Sequence, residues 1–254
     1  MGAVDPLPGL IHGEATSALA WRCWLAGLRC HELSVENWLP ARARLVIVAP
    51  HPDDEILASG GLIATHLAQG GRVLIVAVTD GEASHGDSPS INRDDLAYMR
   101  RSERWMGLRL LGLAQPKVLS LALQDGLVQR QERALFKRLV SLLHPADVVV
   151  STWEHDGHPD HDSTGAMARQ ASAAVGCAYL AAPVWMWHCA TPGDARVPWL
   201  RLRGLPLGAA DGLRKQAALA AHRSQLCPRT SELGAVLGTA IVERAAWRTE
   251  YFFV

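Results

Sequence analysis

Apolar positions along this chain fall into two rhythms. Leu45-Val46-Ile47-Val48, Arg72–Val78, Lys117–Leu121 and Asp147-Val148-Val149-Val150 are short apolar runs, mostly rich in β-branched residues. Such runs predict strands buried on both faces. Between them apolar residues recur at helical spacing. Ile56, Leu57, Leu62, Ile63 and Leu67 do so within Glu55–Gln69, which Gly70-Gly71 closes as a C-cap. Asn92–Leu111, Gln131–His144 (with Leu135, Phe136, Leu139, Val140 and Leu143), Ser163–Val175 and the Ala-rich Asp211–Arg223 also read as helices. Ala182–His188, with Trp185 and Trp187 alternating, reads as a fifth strand; Arg196–Leu207 and Glu250–Val254 add two more. Strand alternating with helix predicts an α/β fold: a Rossmann-like open, mostly parallel sheet with helices on both faces. Met1–Gly13 is Pro/Gly-rich and irregular, and Thr16–Leu33 carries Leu19, Trp21, Trp24, Leu25 and Leu28 at helical spacing. Residues 1–40 are therefore expected as an extension with one helix, and 41–254 as one domain.

Two of the predicted strands end in chemistry. Pro50 and Pro52 stop the first, and Ala49-Pro50-His51-Pro52-Asp53-Asp54-Glu55 turns into a helix. The carboxyl ends of parallel strands are where open α/β sheets bind ligands. A His and an Asp three residues apart on such a turn, His51 and Asp54, can face one cation, a donor pair that suits zinc or a similar divalent ion. Asp53 between them is left free to act as a base. Gly157-His158-Pro159-Asp160-His161-Asp162 repeats the design after the fourth strand. Brought together, the two corners supply two His, one Asp and an open position, the pattern of a catalytic rather than a structural zinc site. Gly60-Gly61 comes too late after the first strand to be a dinucleotide loop.

Pro-His-Pro-Asp-Asp-Glu at 50–55 and Gly-His-Pro-Asp-His at 157–161 resemble the two motifs of the LmbE-like (PIG-L) N-deacetylases. Thr79-Asp80-Gly81-Glu82, Arg100-Arg101-Ser102-Glu103 with Leu111-Gly112, Gln124-Asp125-Gly126, and Ala221-His222-Arg223-Ser224-Gln225 resemble further segments in the same order. The resemblance covers residues 43–254. It implies the LmbE/PIG-L deacetylase fold and a zinc-dependent hydrolase that removes an acetyl or related acyl group from an N-acylated amino sugar, such as an N-acetylglucosaminyl conjugate. It implies His51, Asp54 and His161 as metal ligands, and Asp53 as general base. His158 would stabilise the oxyanion or protonate the leaving amine, and Asp160 would orient His158 and raise its pKa. Arg100 is implied as a substrate-binding residue with Glu103 as its partner, and Glu55 as a cap or support. Some members carry a Tyr where this chain has Asp156, so Asp156 is expected at the substrate, where an ionised acid would not donate to an oxyanion. An amidase or esterase on a non-sugar substrate, or an inactive binding protein of the same fold, is the alternative.

Composition adds exclusions. Lys plus Arg and Asp plus Glu are 25 each, so net charge is zero and no basic excess points to nucleic acid. Cys23, Cys30, Cys177, Cys189 and Cys227 are odd in number and form no CxxC, as expected of thiols in a reducing cytoplasm. No run is long enough to span a membrane, and no signal peptide is read at the N-terminus. His/Asp ligation also accepts Fe2+, Co2+ or Mn2+. The polar stretch Ala83–Asn92, with His85 and Asp87, is expected to be a loop beside the site and a candidate substrate lid.

Overall fold

The computed structural model describes residues 16–28, 31–86, 91–230 and 233–254. Met1–Gly13, Cys30 and Asp87 lie outside them. Eight strands form one sheet: β1 (His31–Glu32), β2 (Arg44–Ala49), β3 (Arg72–Ala77), β4 (Val118–Ser120), β5 (Asp147–Thr152), β6 (Ala178–Ala182), β7 (Leu202–Pro206) and β8 (Thr249–Phe253). Their spatial order is β1-β7-β8-β6-β5-β2-β3-β4. Every pairing is parallel except those of β8, which runs antiparallel to β6 and β7. Helices α1 (Ala18–Gly27), α2 (Val35–Trp38), α3 (Asp54–Ala68), α4 (Arg93–Leu111), α5 (Glu132–Leu142), α6 (Pro159–Val175), α7 (Met186–Cys189), α8 (Ala209–Ala220), α9 (Arg223–Leu226) and α10 (Thr239–Ala245) join them.

The apolar runs explain the layering. Leu45 and Ile47 of β2 enter one core with Ile56, Leu62, Leu108 and Ala218; Val46 and Val48 enter another with Leu135, Leu139 and Ala168. The sheet is thus covered on both faces, as continuous apolar strands require. β2 and β5 are neighbours in register from Arg44 opposite Asp147 to Val48 opposite Ser151, and Arg44 binds the Asp147 carboxylate at 2.6 Å where the pair begins. That register brings the two motif corners side by side.

Two expectations change. Ala182–His188 is not a strand: β6 stops at Ala182, and a short helix follows over Met186–Cys189. Pro183 has no N–H to continue a ladder, and the N–H groups of Val184, Trp185 and Met186 turn instead to the Asp156 carboxylate at 2.8–2.9 Å. The helix expected from Ser163 begins earlier, at Pro159, with His158 as its N-cap, so the second motif forms its first turn. The segment before residue 41 joins the same sheet. β1 pairs with β7, and Trp21 is buried, donating its indole N–H to Trp187 O at 2.7 Å.

α3 is interrupted at Ser59, whose φ is −150°. A broken turn leaves amides and carbonyls without helical partners. Glu250 of β8 accepts from Gly61 N at 2.7 Å and Leu62 N at 2.8 Å. Lys215 of α8 binds Glu250 at 2.7 Å and donates to Leu57 O at 3.1 Å. Removing one partner from such a buried pair costs about 3–5 kcal/mol. Glu250→Ala is expected to lose stability on that scale in urea unfolding; an unchanged midpoint would show that the break needs no carboxylate.

Candidate metal centre and active site

The first corner is tight and strained. Asp53 precedes α3 with φ +118°, a left-handed value that a non-glycine residue rarely holds. Its neighbours fix it. Arg100 on α4 donates to Asp53 Oδ2 at 3.2 Å, to Pro52 O at 2.7 Å and to Gly81 O at 2.8 Å. Gly81 has to be glycine, because a Cβ there would lie 2.0 Å from the Arg100 guanidinium. Burial pushes the Asp53 carboxyl up to about 7, although the Arg100 charge pulls against it. Asp53 is therefore poised to take a proton near neutral pH.

His51, Asp54 and His161 converge. His51 Nδ1 lies 3.2 Å from Asp54 Oδ2 and 3.3 Å from His161 Nε2, and His161 Nε2 lies 3.2 Å from Asp54 Oδ2. A tetrahedral ion with donors at about 2.0–2.1 Å holds those donors about 3.3 Å apart. The triangle therefore has the size of a zinc-type ligand set. The far nitrogens strengthen the fit. His161 Nδ1 meets Asp156 Oδ2 at 2.8 Å, and His51 Nε2 meets Asp125 Oδ1 at 3.0 Å and Asp160 Oδ2 at 3.3 Å. A carboxylate on the outer nitrogen holds its proton there and turns the inner lone pair to the ion. Charge points the same way. Asp53, Asp54, Asp125, Asp156 and Asp160 are all buried, and among the described residues only Arg100 brings a guanidinium to them. A divalent cation offsets such an excess.

Three side chains are placed differently from expectation. Asp156 is fully buried behind His161, accepting from it and from the three amides of the β6–α7 turn, so it does not face the substrate cleft. Asp160 accepts from Gly126 N at 2.7 Å and Val128 N at 3.1 Å and reaches His51; towards His158 it offers only its backbone N–H, at 3.2 Å. The Asp160 charge does pull the His158 ring upward, as expected, but it is outweighed. Burial, with His161 and His51 nearby, lowers it to about 3. Neutral, with Nδ1 accepting from Asp160 N, it keeps Nε2–H to donate. Arg100 pairs with Asp53 rather than Glu103, which instead accepts from Ser224 N and Oγ at 2.7 and 2.6 Å. Arg100 does border the cleft, but its bonds are to Asp53 and backbone.

The cleft is lined by His51, Asp53, Asp54, His158, Trp185 and Gln225, among others. Trp185 lies stacked on His158, with ring centroids 6.4 Å apart. Asp125, like Gln225, lines the cleft, though nothing in their local sequence points to a role there. Gln225 is buried; its Nε2 donates to Ser224 Oγ at 2.9 Å, and its Oε1 has no partner. Ala83 and Ser84 line the cleft too, so the described part of the 83–92 loop borders the site.

The family model for GlcNAc-PI de-N-acetylase (PIG-L) matches residues 46–172, half of the chain, and spans both corners. The chain belongs to the PIG-L family. A relative in Bacillus anthracis, a probable N-acetyl-α-D-glucosaminyl L-malate deacetylase 2, is 25% identical over 213 residues, covering 80% of this chain and 90% of that protein. The 1D-myo-inositol 2-acetamido-2-deoxy-α-D-glucopyranoside deacetylase of Streptomyces scabiei is 30% identical over 204 residues, covering 69% of this chain and 61% of that protein. The zinc-inhibited form of teicoplanin deacetylase Orf2 has the same fold, with TM-score 0.62 at 17% identity over 83% of this chain and 97% of that one. Among the described residues no helix is long and apolar enough to cross a membrane.

Loss of a carboxylate behind a metal-bound imidazole lowers metal affinity about 10–100-fold. Asp156→Ala is expected to weaken metal binding by that factor in competition with a chromophoric chelator. Affinity equal to the wild type would place Asp156 outside the metal site.

Proposed function

We propose that this chain is a zinc-dependent N-deacetylase that hydrolyses the acetamide of an N-acetylglucosaminyl conjugate. The observation that carries this is the His51–Asp54–His161 triangle with the Asp53 carboxylate beside it at the floor of an open cleft. A zinc ion held there supplies a Lewis acid that polarises a carbonyl and acidifies water. The rest belongs to the protein. Asp53, fixed by Arg100, takes a proton from the attacking water as the new C–O bond forms. His158 donates its Nε2–H to the carbonyl oxygen as negative charge builds. The C–N bond then breaks, the amine takes the proton back from Asp53, and acetate and a free amino sugar leave. Trp185 offers a sugar an apolar face, and the unpartnered Gln225 Oε1 offers an acceptor to its hydroxyl or amide N–H. The family, the relatives that act on malate and inositol conjugates, and the donor set support this reading. Free thiols at Cys23, Cys177, Cys189 and Cys227 fit a reducing, cytoplasmic setting.

The test is acetate release from N-acetylglucosaminyl malate, N-acetylglucosaminyl inositol and N-acetylated amino-sugar oligomers, with zinc supplied. Asp53→Asn is expected to cut kcat by about 10²–10⁴-fold while retaining one metal per chain. Absence of acetate from every substrate by a metal-loaded wild type would rule out the proposed reaction. Undiminished turnover in Asp53→Asn would remove the base from the mechanism.

A further inference from the structure

A surface helix normally buries an apolar stripe and exposes a polar one. α4 exposes an apolar one as well. Its inner face carries Leu96, Ala97, Arg100, Arg104, Gly107, Leu108 and Leu111. On the opposite face, centred on Ser102, stand Tyr98, Met99, Trp105, Met106 and Leu110, with Tyr98 69% and Trp105 44% exposed. At 1.5 Å per residue this stripe runs about 18 Å. Scattered exposed apolar residues are ordinary, but a contiguous stripe marks a contact surface. Its composition is also telling: Tyr, Trp, Met and Arg are the types enriched at the centres of protein interfaces.

The order of residues says what covers it. With two copies of α4 antiparallel and Ser102 on the axis between them, residues equally distant from Ser102 face each other. Tyr98 then meets Met106, and Met99 meets Trp105, giving sulfur–aromatic contacts. Asp95 meets Arg109, so opposite charges close both ends. Arg109 already lies on this face, 4.7 Å over the Trp105 ring. The small Ser102 lets the helices approach at the crossing. An unrelated partner would have no reason to match this mirror arrangement of charge and sulfur.

We infer that the chain forms a twofold homodimer through antiparallel packing of α4. The interface is isologous, with the same patch on both subunits. It backs directly onto the site, because Arg100 and Arg104 on the inner face of the same helix hold Asp53 and Glu55.

Sedimentation velocity on the full metal-loaded chain, over a roughly thousandfold range of concentration, tests this. The wild type is expected to dimerise, and Trp105→Ala to weaken the dimer about tenfold or more. Asp95→Arg and Arg109→Asp should each dissociate it by placing like charges opposite each other, and the double variant Asp95→Arg/Arg109→Asp should restore it. Circular dichroism checks that each variant keeps its helix content. A wild type that is monomeric throughout overturns the inference, as does a dimer indifferent to all three single substitutions. A folded double variant that stays monomeric overturns the antiparallel register.

Discussion

Charge that is buried must be balanced where it sits, and one corner of this protein is organised by that requirement. Five aspartates are held out of water at the ends of β2 and β5 and in the loops beside them. Asp156 is balanced by three backbone amides and an imidazole, Asp160 by two amides and an imidazole, and Asp53 by Arg100. Asp54 lies against the inner nitrogens of two imidazoles, and this is where the proposed cation would complete the balance. Beneath it, the β2–β5 register sets how close the two corners come.

The same logic extends away from the site. Glu55 and Arg104 are both buried, 3.4 Å apart, and Lys215 and Glu250 close the break in α3. His222, buried with neither nitrogen bonded, stays neutral: burial and the charges of Arg100 and Arg104 lower it to about 3. A cation on that ring would stand beside two guanidiniums, and the opposing charge of Asp54 does not offset them. A chain with no net charge thus carries a strongly polarised interior, arranged as local pairs.

Much of this was legible in the sequence, because the decisive residues are contiguous. His51, Asp53 and Asp54 lie within one turn, His158 and His161 within another, and each turn follows an unmistakable buried strand. The fold class followed from the same runs. What was hidden depends on residues far apart in the chain. Asp125-Gly126 reads as a turn, and nothing local says that its carboxylate reaches His51. Asp156 looked like a cleft residue until Pro183 ended β6 and turned three amides towards it. Glu103 is the acid nearest Arg100 in sequence, yet the helix directs Arg100 to Asp53 and Glu103 to Ser224. The Trp pair at 185 and 187 alternates like a strand, but one ring enters the core and the other the cleft. The N-terminal segment carried only a helical period, with no sign that it would supply an edge strand.

The backbone at Asp53 has an evolutionary consequence. A left-handed conformation in a residue with a Cβ costs on the order of 1–3 kcal/mol, and glycine adopts it without that cost. Removing the side chain would relieve that strain but leave the buried Arg100 guanidinium without its acid, a loss of about 3–5 kcal/mol. The strained carboxylate is thus held in place by its partner's charge as well as by any demand for turnover. In a lineage released from the reaction, glycine at position 53 would therefore gain stability only once Arg100 had also lost its charge. A descendant of this chain that had become a binding protein would show its history in the two positions together, not at Asp53 alone.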